Sequence, residues 1–269
     1  MTLGNSMMSM LLMKKLLFPA LLGTLFIGES AVAKGNIAQA MTEVYGAYNP
    51  AHKCWVLKDD YSYCMKVTSV HSAKDADGNE TVFLLALGDA IEDEGHIHAF
   101  STGGRLGMIV YESQAPDTVK VIATHKNEPV GMDGCAPPAE NFMFTQIGPA
   151  HWAWRFNDYE GRQGQYWRNT TFYAPCQGAV RPLFSLQTET SLFLYDMPEE
   201  KTTMKRTVTV KTDKADASGY YPIEVEVTKA PEEKVKPGKY VFRFSAEKDK
   251  YMPEPGSSMA IELVNQGEN

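Results

Sequence analysis

The residues best able to do chemistry lie in Asp89-Ala-Ile-Glu-Asp-Glu-Gly-His96-Ile-His98. On a strand, His96 and His98 point to the same face, which is how two imidazoles grip one metal ion. Glu94 offers a carboxylate beside them, with Glu92 and Asp93 as substitutes, and His151 or His125 could complete the shell. Nitrogen and oxygen donors of this kind suit zinc, with copper as the alternative in an exported protein. The same stretch also reads as a solvated acidic loop leading into a strand, and on that reading no cofactor is expected.

A second constellation is aromatic. In His151-Trp152-Ala-Trp154-Arg155-Phe156, a strand would place Trp152, Trp154 and Phe156 on one face and His151 with Arg155 on the other. Asn157 to Gln165 reads as a polar turn, after which Trp167 begins a returning strand. Trp152, Trp154, Arg155 and Trp167 are therefore the candidate ligand-binding residues: rings stack on sugars or apolar groups, and a guanidinium meets acids. The competing reading is that these rings form the core, since aromatic side chains dominate buried area.

Hydrolytic signatures are missing. The sequence has no G-x-S-x-G elbow and no H-E-x-x-H. Ser245-Ala-Glu-Lys248 matches S-x-x-K, but it lacks the companion motifs and follows a strand-like run. Ser101-Thr-Gly-Gly104-Arg-Leu-Gly107 lacks the lysine or strict glycine spacing of a phosphate loop, and reads as a bulge or turn entering a strand.

The elements that must position these residues are short strands. Tyr63 to Ser69 and Thr81 to Leu87 flank the turn signal Asp75-Ala-Asp-Gly-Asn79, predicting a hairpin. Further β-rich runs are Gly107 to Tyr111, Thr118 to Thr124, Asn141 to Ile147, Trp152 to Phe156, Tyr166 to Tyr173 and Ser191 to Tyr195. Thr207 to Val210, Ile223 to Val227 and Tyr240 to Phe244 alternate with period two, charged on one face and apolar on the other. One helix is expected, from Ile37 to Tyr48, ended by Asn49-Pro50. The predicted fold is mainly β: an antiparallel sandwich or open barrel with one N-terminal helix. Residues 34–269 read as a single domain, with a possible subdomain boundary near 198–201, where Lys and Glu become frequent.

Residues 1–33 read as a signal peptide whose true start is Met13. Lys14 and Lys15 supply the positive segment, Leu16 to Gly28 the apolar one, and Ala31-Val32-Ala33 the cleavage site. The apolar segment falls short of the roughly 20 residues a membrane span needs, and no later run approaches it. An exported protein in the bacterial periplasm or outside the cell is expected. Its four cysteines then form disulfides, with the pairing Cys54–Cys64 across a hairpin and Cys135–Cys176 between loops. A net charge of −7 argues against nucleic acid as a partner, because phosphate binding needs clustered cations. The function expected is a non-catalytic binding or interaction module with an aromatic-lined β surface. Its partner would be a small molecule, a glycan or an envelope protein. The alternatives are a metal-dependent enzyme or metal carrier at the His-x-His pair, and a structural envelope component.

Overall fold

The computed structural model describes residues 31–74, 77–91, 103–115, 118–162, 164–192, 201–230 and 235–259. Its first element, α1 (Ala31–Tyr45), starts earlier than expected and stops earlier too. Gly46 adopts φ 86°, a left-handed conformation that closes the last turn through its amide to the Thr42 carbonyl at 2.9 Å. Asn49-Pro50 is thus not the stop signal. Ala40 and Met41 are wholly buried against the strands that follow.

Those strands form a meander: β1 (Tyr48–Asn49), β2 (Cys54–Lys58), β3 (Ser62–Lys74), β4 (Glu80–Ala90), β5 (Gly104–Ala115) and β6 (Thr118–Val130), each antiparallel to the next. The predicted hairpin is β3–β4, with Val70 opposite Leu84 and Lys74 opposite Glu80. Alternation separates its two faces. Leu84, Ala86, Ile109 and Tyr111 pack under α1, whereas Phe83, Leu85, Met108 and Val110 face the other way. Both sides are covered, so β5 is buried without a break from Gly104 to Tyr111. The ladder slips between Leu106 and Met108, which places the expected bulge at Gly107. A Cβ there would overlap the Tyr45 hydroxyl, so the bare glycine lets the end of α1 settle on the sheet.

The next layer holds β7 (Phe142–Gly148), β8 (His151–Arg162), β9 (Gln165–Cys176) and β10 (Ala179–Leu192). One face, carrying Trp154, Phe156 and Tyr173, closes on the β4–β6 face. The opposite face, with Ala153, Phe172, Phe184 and Leu186, packs on the last layer. That layer is β11 (Lys201–Val210), β12 (Ile223–Lys229), β13 (Gly238–Ser245) and β14 (Lys250–Pro253). It contributes Val208, Ile223, Val225, Phe242 and Tyr251.

The layers are one continuous sheet folded over itself, not closed into a barrel. The joint is β10. It pairs β9 along its length, β11 at its C-terminal end, and β6 through Ala179 and Thr124, a parallel contact in an otherwise antiparallel sheet.

Several expectations change. Asn157 to Gln165 is not a polar turn: β8 runs on to Arg162, and the chain reverses near Gly164, whose φ is 79°. The expected strand from Ser191 is the tail of a much longer β10, and β14 was not anticipated. Cys54–Cys64 is present, its Cα atoms 5.4 Å apart, although the ladder sets Val56, not Cys54, opposite Cys64. Cys135–Cys176 is not formed; both are free thiols. Cys135 accepts from the Gly104 amide, beside Val130, while Cys176 pairs with Ala179, beside Thr124. The stretch of β6 from Thr124 to Val130 spans roughly 20 Å, far beyond the ~7 Å a disulfide bridges.

Candidate ligand pocket

A cavity of about 140 Å³ opens between the first two layers, where the β3–β4 hairpin meets the turn from β7 to β8. Its rings come from three elements. Phe83 stands on the inner face of β4 because odd-numbered β4 positions point that way. Trp152 enters from β8 and stacks on Phe144 of β7, centroids 5.0 Å apart and planes 5° from parallel. His151, one position earlier and so on the other side of the strand, lies flat on Tyr220 at 4.1 Å.

Tyr220 belongs to the connection between β11 and β12, which is held locally. The Asp216 carboxylate accepts from the Ser218 amide at 2.9 Å, and the Tyr221 amide donates to the Ile147 carbonyl at 2.7 Å. Close approach of this connection to β7 requires Gly148, where a Cβ would come within 2.5 Å of the Gly219 carbonyl and 2.9 Å of the His151 ring.

The lining is mostly apolar: Val110, Ile122, Ala174 and Pro175 fill the walls between the rings. Besides the polar edges of the rings, Thr81 and Lys74 interrupt it. Thr81 is only 4% exposed, and its hydroxyl has no hydrogen-bond partner among the described residues. Lys74, at the end of β3, is exposed at the rim and makes no ion pair with a described residue. Burial holds the His151 pKa below its ordinary value, so the ring is neutral at pH 7. Burial first, then the nearby charges of Cys176 and Asp249, pushes Tyr220 up to about 12. Lys74 therefore carries the one full charge among the described lining residues.

The candidate residues separate across this geometry. Trp152 and His151 line the cavity. Trp154 does not: at 1% exposure it is a core ring, edge-on to Phe83 at 5.6 Å, and this corrects its assignment to ligand binding. Arg155 is turned to the opposite face of β8, where its guanidinium sits over the Phe172 ring and donates to the Val208 carbonyl at 3.3 Å. It joins two layers instead of meeting a ligand beside Trp152. Trp167 is half-buried at the far end of β9, its indole donating to Glu160 at 3.1 Å.

His96, His98 and Glu94 lie outside the described residues. His125 is committed to Glu128 at 2.8 Å, a pairing that raises its pKa. Among the described residues, no three of His, Cys, Asp and Glu gather as a metal ion would require.

Sequence reasoning reached Trp152 and His151 but not Phe83, Thr81, Lys74 or Tyr220. Phe83 and Thr81 were legible only as alternate positions of a hairpin strand, and Tyr220 lay in a loop with no pattern. Their convergence depends on how the sheet folds over, which no local signal encodes. No protein-family model, curated protein or solved structure matches the chain.

Proposed function

We propose that this is an exported, non-catalytic binding protein that receives a ring-sized ligand between its first two sheet layers. The cavity carries the reading: two stacked aromatic pairs, Trp152–Phe144 and His151–Tyr220, border a space left empty by the packing of an otherwise close-fitted core. An apolar cavity of about 150 Å³ accepts a guest the size of benzene. This one is comparable, and its open side lets the rest of a ligand project outward. Among the described residues, no catalytic constellation lines it. The nearest thiol, Cys176, has its pKa raised, chiefly by burial, and so is a poor nucleophile at neutral pH.

Export is supported by the segment Met13 to Ala33 and by the Cys54–Cys64 disulfide. No described helix is long and apolar enough to cross a membrane. Mass spectrometry of the processed protein should give an N-terminus at Lys34.

Benzyl alcohol is a suitable neutral ring probe for the pocket. At roughly 0.5 kcal/mol per non-hydrogen atom, well inside the range for small ligands, its Kd is on the order of 1 mM. Titration into the 15N-labelled protein should shift the Thr81, Phe83, Trp152 and Tyr220 amides saturably, and Trp152→Ala should weaken binding at least about five-fold. Shifts scattered over the surface, or none, would remove the pocket as a ligand site. That outcome would leave an envelope component with no small ligand.

A further inference from the structure

We infer that the ligand is an aromatic carboxylate, its ring between Trp152 and Phe83 and its acid group at the Lys74 ammonium. This rests on the pocket being a ligand site at all, and it adds the chemical class.

The lining first decides between an aromatic ring and a sugar. A sugar ring carries hydroxyls around its rim, and each one buried without a partner is costly. The Val110, Ile122, Ala174 and Pro175 side chains offer none. The only polar side-chain groups in the described lining below the rim are the Thr81 and Tyr220 hydroxyls, the His151 ring and the Trp152 indole N–H, too few for every hydroxyl of a sugar. An aromatic ring makes no such demand and gains from flat contact with Trp152.

Charge then decides what the ring bears. Lys74 stands at the rim with no acidic partner within ion-pair distance among the described residues. Glu80 is its neighbour across the β3–β4 ladder, yet forms no salt bridge with it. Glu112 of β5, opposite Thr81, faces Lys120 at 3.8 Å, and Asp75, next in sequence to Lys74, lies outside the described residues. Asp249 accepts from the Gln177 side chain at 2.5 Å, and Asp216 caps the turn at Ser218. On a chain whose net charge is −7, a lone ammonium over an apolar cleft is a local reversal of sign that an anionic ligand can read. Thr81, whose buried hydroxyl has no hydrogen-bond partner among the described residues, lines the same cavity.

The test compares sodium benzoate, benzyl alcohol and methyl glucoside by the same amide titration at fixed ionic strength, on the parent protein and on Lys74→Met. Lys74 is exposed, so its replacement leaves the core intact. Benzoate should bind about two- to five-fold tighter than benzyl alcohol, the scale of an exposed ion pair. Lys74→Met should erase that preference, bringing the benzoate and benzyl alcohol affinities to the same value, and higher salt should shrink it in the parent.

Equal or tighter binding of benzyl alcohol overturns the carboxylate assignment and leaves the pocket standing. A benzoate preference that survives Lys74→Met overturns the role of Lys74. Tighter binding of methyl glucoside overturns the aromatic class, and failure of all three probes removes the pocket reading with it.

Discussion

Thr81, at 4% exposure, carries a hydroxyl without a hydrogen-bond partner among the described residues. Removing such a group while keeping its shape is favourable, because the desolvation cost disappears with the atom. Thr81→Val should therefore stabilise the free protein by about 1 kcal/mol and at the same time weaken benzoate binding. Urea unfolding reads the first effect and amide titration the second; a destabilised variant would mean that the hydroxyl is satisfied in the free state. Asp158 makes the complementary case. Burial first, then a hydrogen bond with Glu160 and its like charge, pushes the Asp158 carboxyl up to about 6. An acid whose folded pKa lies above its unfolded value of about 3.9 stabilises the fold fully below that unfolded value. The contribution is then lost as the pH rises through about 6. Asp158→Asn keeps the neutral shape at every pH. Its Tm should match the parent near pH 4 and exceed it near pH 8. A difference that stays flat between those limits would rule the effect out. The comparison with the parent matters because His125, raised by Glu128, also loses its contribution as the pH rises.

The β2–β3 hairpin is secured twice, across its strands and at its turn. Cys54–Cys64 links its strands, and Arg105 of β5 reaches Asp59 at 3.1 Å and Asp60 at 2.6 Å, with its guanidinium 4.2 Å from the centre of the Tyr63 ring. Replacing both cysteines by serine should cost about 2–3 kcal/mol, the loop-closure value for a short loop. A shift in the urea midpoint measures it, and no shift would mean that the Arg105 clamp alone holds the tip. This hairpin, like β3–β4, β12 and β13, was readable beforehand, because polar turns separate runs whose apolar residues recur with period two. β10 was not. Its Arg181-Pro182 looks like a break, and the ladder does slip between Pro182 and Phe184. Within β10, Leu183 and Phe184 are buried side by side and Gln187 to Thr190 are all half-buried, so no period-two pattern marks the strand. The pocket was half visible for the same reason. Trp152 and His151 sit in a conspicuous aromatic run, whereas Lys74, Thr81 and Phe83 reach it only through the register of a distant hairpin. The two remaining cysteines show the limit of even-number reasoning: their strands hold them apart along β6, whatever the compartment offers.

In the whole molecule the outer layers differ in character. One carries α1 over the β2–β6 meander, whereas the β11–β14 layer turns charged side chains outward, with Glu224 between Lys211 and Lys239 and Arg243 beside Glu254. Exposed pairs like these add little stability and keep a sheet edge from recruiting another. The cores on the two sides of β7–β10 share its strands, so unfolding one exposes the apolar face that completes the other. That sharing also governs how the protein breathes. Backbone amides exchange with solvent through local openings, and the outer strands can open while the middle ones stay paired. From Thr170 to Ala174, β9 is buried at five successive positions between β8 and β10. Its amides should exchange last, only when the whole molecule comes apart, whereas those of α1 and β14 should exchange earlier by smaller openings. Deuterium uptake followed residue by residue would reveal the order, and a β9 that exchanged as early as β14 would show that the layers come apart separately. In such a protein the slowest protons sit beside the cavity, so the cleft proposed for a ligand is cut into the part of the fold that yields least.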